Sequence, residues 1–155
     1  MRAIDTNVLV RALVRDDVAQ SARAETLLSE HKIYVPVTVM LELEWVLRSR
    51  YAFPPKVVAQ AIASLAALGN VILGERVAVL AAAAKSGRGW DFADALHHAL
   101  SEGCDDFVTL DAGLVKRAAR EGTDAWGRYA ENSQALIAAE HRRLLQMRPV
   151  VRVRR

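Results

Sequence analysis

The sequence predicts an α/β fold on a central, mainly parallel sheet of four or five strands, and three observations carry that expectation. Short β-type runs alternate with longer helical runs from end to end, the pattern of strand–helix–strand units. No internal repeat and no low-complexity linker interrupts the alternation. At 155 residues, 52% hydrophobic and 25% charged, the chain can bury one sizeable core, which excludes disordered and fibrous classes.

In order, residues 1–4 read as the first strand and lead into a helix over 8–14. Residues 33–35 form the second strand, followed by Pro36 and a helix capped by Thr38. A helix over 55–68 stops at Gly69, 71–73 is the third strand, and 75–85 is an Ala-rich helix. Gly87 and Gly89 break the chain before a helix over 91–101. Residues 107–110 are the fourth strand, and a helix over 112–121 ends at Gly122. Beyond lie a helix within 130–147 and, over 149–153, a fifth strand or a loose end.

Charge is unevenly distributed. The net charge is +3, from 21 Lys and Arg against 18 Asp and Glu, yet no acid follows Glu140. Six arginines do: Arg142, Arg143, Arg148, Arg152, Arg154 and Arg155. Setting those six aside leaves 15 cations against 18 acids, so the body carries −3 and the tail is basic. Such a tail is either a solvated terminus or an arm for a polyanion, in which case Arg142, Arg143 and Arg148 contact phosphate. A single cysteine, Cys104, excludes an intramolecular disulfide framework and a cysteine-based zinc site, and it fits a reducing compartment. No apolar run approaches the roughly 20 residues that span a bilayer, and Asp5 interrupts what would be a signal-peptide core. The expected address is the cytoplasm, with no membrane partner.

The acids are informative by position. Asp5 and Asp111 directly follow strands, while Glu42, Asp91 and Asp94 lie near the starts of helices. In an open parallel sheet such points gather at the carboxyl ends of the strands, where ligands bind. Converging carboxylates repel one another unless a cation sits among them, and an all-oxygen cluster suits Mg²⁺ or Mn²⁺ better than zinc. Each acid also has a local explanation. Asp5 and Asp111 are good N-caps, and Asp91 with Asp94 has capping-box spacing, which for Asp91 rivals metal binding. Glu42 and Glu44 lie about 200° apart on a helix, so only one points at a site. Glu44 precedes Arg48 by four residues, the spacing of a surface ion pair; Glu42 is flanked by Val39, Trp45 and Val46 and is expected to point inward, toward a cation, an arginine or a backbone amide.

His97 and His98 are adjacent, about 100° apart on a helix, and cannot chelate together. Trp45, Trp90 and Trp126 read as packing residues. The chain has no Gly-rich phosphate loop, no Gly-x-Ser-x-Gly elbow and no Cys-x-x-Cys pair, which removes nucleotide-cofactor, serine-hydrolase and thiol-redox chemistry.

Four segments together, Ile4-Asp5-Thr6-Asn7-Val8-Leu9-Val10, Glu42-Leu43-Glu44-Trp45-Val46-Leu47, Asp91-Phe92-Ala93-Asp94-Ala95-Leu96 and Thr109-Leu110-Asp111, are similar in order and spacing to PIN-domain ribonucleases of the VapC toxin type. The resemblance covers about residues 1–121. It implies a three-layer α/β/α fold over 1–122, with 123–155 as a C-terminal extension. It further implies a Mg²⁺- or Mn²⁺-dependent endoribonuclease, the toxin of a toxin–antitoxin pair, that cleaves RNA with a metal-activated water. By position Asp5, Glu42, Asp94 and Asp111 match the family's metal-binding acidic quartet, with Asp91 as an extra acid. Thr6, Asn7 and Thr109 match supporting polar positions. A homodimer and a VapB-like antitoxin partner are implied as well. The rival readings are a DNA- or structure-specific nuclease with the same carboxylates and a catalytically silent RNA- or protein-binding module whose acids serve as helix caps.

Overall fold

A computed structural model describes residues 1–105 and 107–120. The chain divides into two compact units, one over Met1–Glu102 and a second beginning at Gly103. The expected extension from 123 onward, with its helix, its late strand, Trp126 and the basic tail, lies outside the described residues, as does the boundary expected at 122.

In the first unit the order is β1 (Arg2–Ala3), α1 (Thr6–Val14), α2 (Val18–Glu30), β2 (Ile33–Val35), α3 (Val37–Ser49), α4 (Pro55–Ala67), β3 (Val71–Leu73), α5 (Arg76–Ser86) and α6 (Phe92–Leu100). The three strands form one parallel sheet in the order β1-β2-β3, with Arg2 opposite Ile33 and Ile33 opposite Val71. Each crossover therefore contains a pair of helices, as parallel neighbours require. Ile33 and Val35 on β2, and Val71 and Leu73 on β3, are buried, whereas Ile72 between the latter two is exposed, the two-residue period of a pleated strand.

Small side chains set several of the close packings. α5 packs on α4 and α6 with Ala78, Val79, Ala82 and Ala83 buried. Just after β3, a Cβ on Gly74 would stand 2.8 Å from the Tyr34 hydroxyl and 3.2 Å from the Val37 amide, so only glycine lets β3 end that near the start of α3. Its own amide donates to the Val35 carbonyl at 2.8 Å.

Two expectations are corrected here, and one helix went unread. Residues 107–110 form no strand, and with the fifth candidate outside the described residues the sheet has three described strands. Their composition suits a strand, but a strand exists only through a partner's backbone, and Val108 and Leu110 are exposed. Thr38 does not cap α3, which begins one residue earlier at Val37, behind Pro36, without a side-chain cap. Helix α2 was not anticipated. Its buried positions are Ser21 and Ala24, too small and polar to trace an apolar stripe, although Asp17 marks its start by accepting from the Gln20 amide at 2.9 Å.

In the second unit, α7 (Ala112–Arg120) follows Asp111, with Leu114 and Ala118 buried. No helix among the described residues is long and apolar enough to cross a membrane.

α6 also contains a pH-sensitive group. Burial, helped by the Lys85 charge and opposed by Glu102, holds the His98 imidazole below its ordinary pKa of 6.5. Its folded value is the lower one, so the stability it contributes is present above 6.5 and is lost as pH falls through the depressed value. His98→Gln should flatten the acid side of a plot of thermal midpoint against pH between 7 and 5.

Candidate functional site

The first candidate acid follows β1 directly. Asp5 has extended backbone and accepts the Val8 amide on Oδ1 at 3.1 Å, capping α1. Among the described residues Oδ2 makes no hydrogen bond, so the carboxylate keeps an exposed oxygen at the carboxyl end of the sheet. The next residue, Thr6, is buried, and its hydroxyl donates to Glu42 Oε2 from α3. That bond ties the start of α1 to the second turn of α3 and orients the exposed Glu42 carboxylate. Asn7 and Asp5 line one recess with Arg11, Gln20 and Arg23.

The expected roles of Glu42 and Glu44 are reversed in burial. Glu44 is the inward acid, 3% exposed, and Glu42 is exposed. The buried stripe of α3 is Met40, Leu43, Glu44 and Leu47, spaced i, i+3, i+4, i+7, so Glu44 occupies a core slot. That stripe was readable in the sequence; weight given to Val39, Trp45 and Val46 obscured it. Trp45 is likewise corrected from a packing residue to a side chain 61% exposed, while Trp90 is buried.

Glu44 does pair with Arg48 as its spacing predicts, through Nε, but as an anchor in the core. The same guanidinium reaches Asp91 Oδ2 through Nη2 at 3.4 Å. Asp91 Oδ1 accepts the amides of Ala93 at 2.9 Å and Asp94 at 3.2 Å, so both its oxygens are engaged and it fastens the start of α6. Glu42, Glu44, Trp45, Arg48 and Asp91 line a common cleft. Asp94 lies within the first turn of α6, half-buried.

In the second unit Asp111 caps α7, accepting the amides of Gly113 at 2.7 Å and Leu114 at 3.1 Å, and its own amide donates to Thr109 Oγ1 at 3.1 Å. Asp5, Asp91 and Asp111 thus all cap helices, as their local readings allow. Asp5 and Asp111 do so through one oxygen each, which leaves the other for a ligand.

The structure brings Glu42 to Thr6, beside Asp5, and Asp91 to Glu44 through Arg48. Among the described residues no three His, Cys, Asp or Glu side chains stand close enough to hold a metal ion together. Asp5 and Glu42 are exposed carboxylates, oxygen donors of the type that hard cations take, and Glu42 is oriented by a hydroxyl.

Burial raises the Glu44 carboxyl above its ordinary 4.5; Arg48 works against the rise and Asp91 adds to it. Its folded value being the higher one, the stability it contributes is present below 4.5 and is lost as pH climbs through the raised value. Arg48→Met, which removes the compensating cation, should cost about 2 kcal/mol at pH 7, below the 3–5 kcal/mol of a fully buried pair because Arg48 is partly exposed. Urea unfolding at pH 7 and pH 5 should show the deficit shrinking at the lower pH.

A short parallel sheet with paired-helix crossovers, and an acid where β1 ends, makes an α/β fold with a carboxylate at the strand ends where ligands bind. The chain matches the PIN domain family over residues 3–120 and belongs to that family. PIN domains are generally metal-dependent nucleases that use divalent ions. No curated protein and no solved structure matches the chain.

Proposed function

We propose that the protein is a divalent-metal-dependent endoribonuclease of the VapC kind, the toxin of a toxin–antitoxin pair, acting in the cytoplasm as a homodimer restrained by a VapB-like antitoxin. The observation that supports the reading is the Thr6–Glu42 hydrogen bond, which holds a carboxylate of α3 on the residue that follows Asp5. Membership of the PIN family supports the hydrolytic chemistry.

In this reading Asp5 and Glu42 would offer oxygen donors to Mg²⁺ or Mn²⁺, and Asp94 and Asp111 are the further acids that the family resemblance assigns to the quartet. A cation held there would offset the repulsion among the carboxylates and supply charge stabilisation at the scissile phosphate. The chain's own residues do the positioning. Val8 fixes the Asp5 carboxylate, Thr6 fixes that of Glu42, and Arg48, braced by buried Glu44, holds Asp91 at the head of α6. With both oxygens engaged, Asp91 supports α6 and Asp94.

The test is digestion of total cellular RNA by the purified chain with Mg²⁺ or Mn²⁺, and again with a chelator. Discrete cuts that disappear with the chelator are expected. Cleavage of DNA in place of RNA would move the assignment to a DNA-directed nuclease. Inactivity on both, without thermal stabilisation by Mn²⁺, would leave a silent binding module.

A further inference from the structure

The cations on the first two helices are not equivalent. Arg11 donates to Asp16 at 2.5 Å and to Gln20 at 3.0 Å, and Arg15 pairs with Glu25 at 2.8 Å. Asp16 also accepts from the Tyr51 hydroxyl at 2.8 Å, and Asp17 is taken up by Gln20 at the start of α2. The acids closest in sequence are thereby committed, and among the described residues the Arg23 guanidinium makes no hydrogen bond or ion pair. Arg23 is exposed on α2 and lines two adjoining recesses. One contains Asp5 and Asn7; the other continues past Leu27 to Arg2 and His31, with Glu30 on its wall.

An unopposed guanidinium beside an acid assigned to phosphodiester chemistry is suited to one ligand. A guanidinium fork matches a phosphate in charge and in bidentate geometry, and it is weakly hydrated, so it surrenders water at small cost. A strand held with one phosphate at Asp5 must place neighbouring phosphates along the adjoining surface. Arg23 is the cation that the Asp5 recess shares with the recess of Arg2 and His31. We infer that Arg23 binds a backbone phosphate of the RNA strand flanking the one processed at Asp5, so that the substrate path runs over α2 toward Arg2. This rests on the ribonuclease reading above and adds a substrate-binding position within the first unit, independent of the basic tail.

The experiment measures binding and turnover separately. Binding is followed by fluorescence anisotropy of a fluorescein-labelled single-stranded RNA on the full chain carrying Asp5→Asn, so that no cleavage intervenes, over a range of salt. Losing one phosphate contact should lower the slope of log affinity against log salt by about 0.7, equivalent to about fivefold weaker binding at 0.1 M salt. Asp5→Asn/Arg23→Gln should show that loss, and Asp5→Asn/Arg23→Lys should recover part of it. In the background with Asp5 intact, Arg23→Gln should raise KM with kcat unchanged. Unchanged affinity and salt slope in Arg23→Gln would overturn the assignment, and so would an equal loss from Lys56→Gln, an exposed cation on α4. Failure of the ribonuclease reading shows itself differently, as absence of cleavage with Asp5 intact, and the anisotropy result still decides the role of Arg23.

Discussion

Asp5→Asn should lower the proposed divalent-dependent RNA cleavage by at least about a hundredfold, while the thermal midpoint should stay close to that of the unaltered chain. The separation of the two effects follows from the dual use of the residue. Oδ1 caps α1 by accepting the Val8 amide, and an asparagine carbonyl caps a helix as well as a carboxylate does, so α1 keeps its start. What the substitution removes is the negative charge at the exposed end of the side chain, the property a hard cation requires. Asp5→Ala is the instructive contrast. It should lose activity equally and lose about 1 kcal/mol of stability as well, because the cap goes with the charge. A cleavage assay paired with thermal denaturation checks both; retained cleavage in Asp5→Asn would remove Asp5 from the site.

Phe92→Ala has the largest expected effect on stability, a loss of about 3–5 kcal/mol by urea denaturation. Phe92 is fully buried and is the first residue of α6, directly after the cap Asp91 and two residues before Asp94. Its removal leaves a void where α6 packs on α5 and α3, so the helix that carries both acids loses its anchor. Activity in Phe92→Ala should fall further than in Phe92→Leu, which retains most of the volume.

The parts of the molecule legible in the sequence were those with local causes. The second and third strands have the extents read from their β-branched runs, and Asp5, Asp91 and Asp111 occupy the cap positions their residue types favour. Helices α4 and α5 fall within one or two residues of the Pro and Gly signals that bound them. What escaped depended on partners far along the chain. Whether 107–110 pairs with a strand is decided by another segment's backbone, and α2 buries residues too small to leave an apolar trace. Glu44 shows the limit of reading charge as surface. Its i, i+3, i+4, i+7 spacing with Met40, Leu43 and Leu47 marked a core slot, but the sequence does not show that Arg48 links it to Asp91.

The parallel register has a consequence for the order of events during synthesis. Arg2 pairs with Ile33, 31 positions on, and Ile33 with Val71, 38 positions on, so no strand of the sheet can form against its immediate successor in a hairpin. The Thr6–Glu42 bond waits for α3, and the Arg48–Asp91 contact waits for α6. A nascent chain therefore emerges from the ribosome with its acids scattered and acquires the arrangement only once α6 has been made, since domains fold as units when their distant contacts become available. In the ribonuclease proposed above, such late assembly would keep the unfinished polypeptide from acting on the message that is producing it.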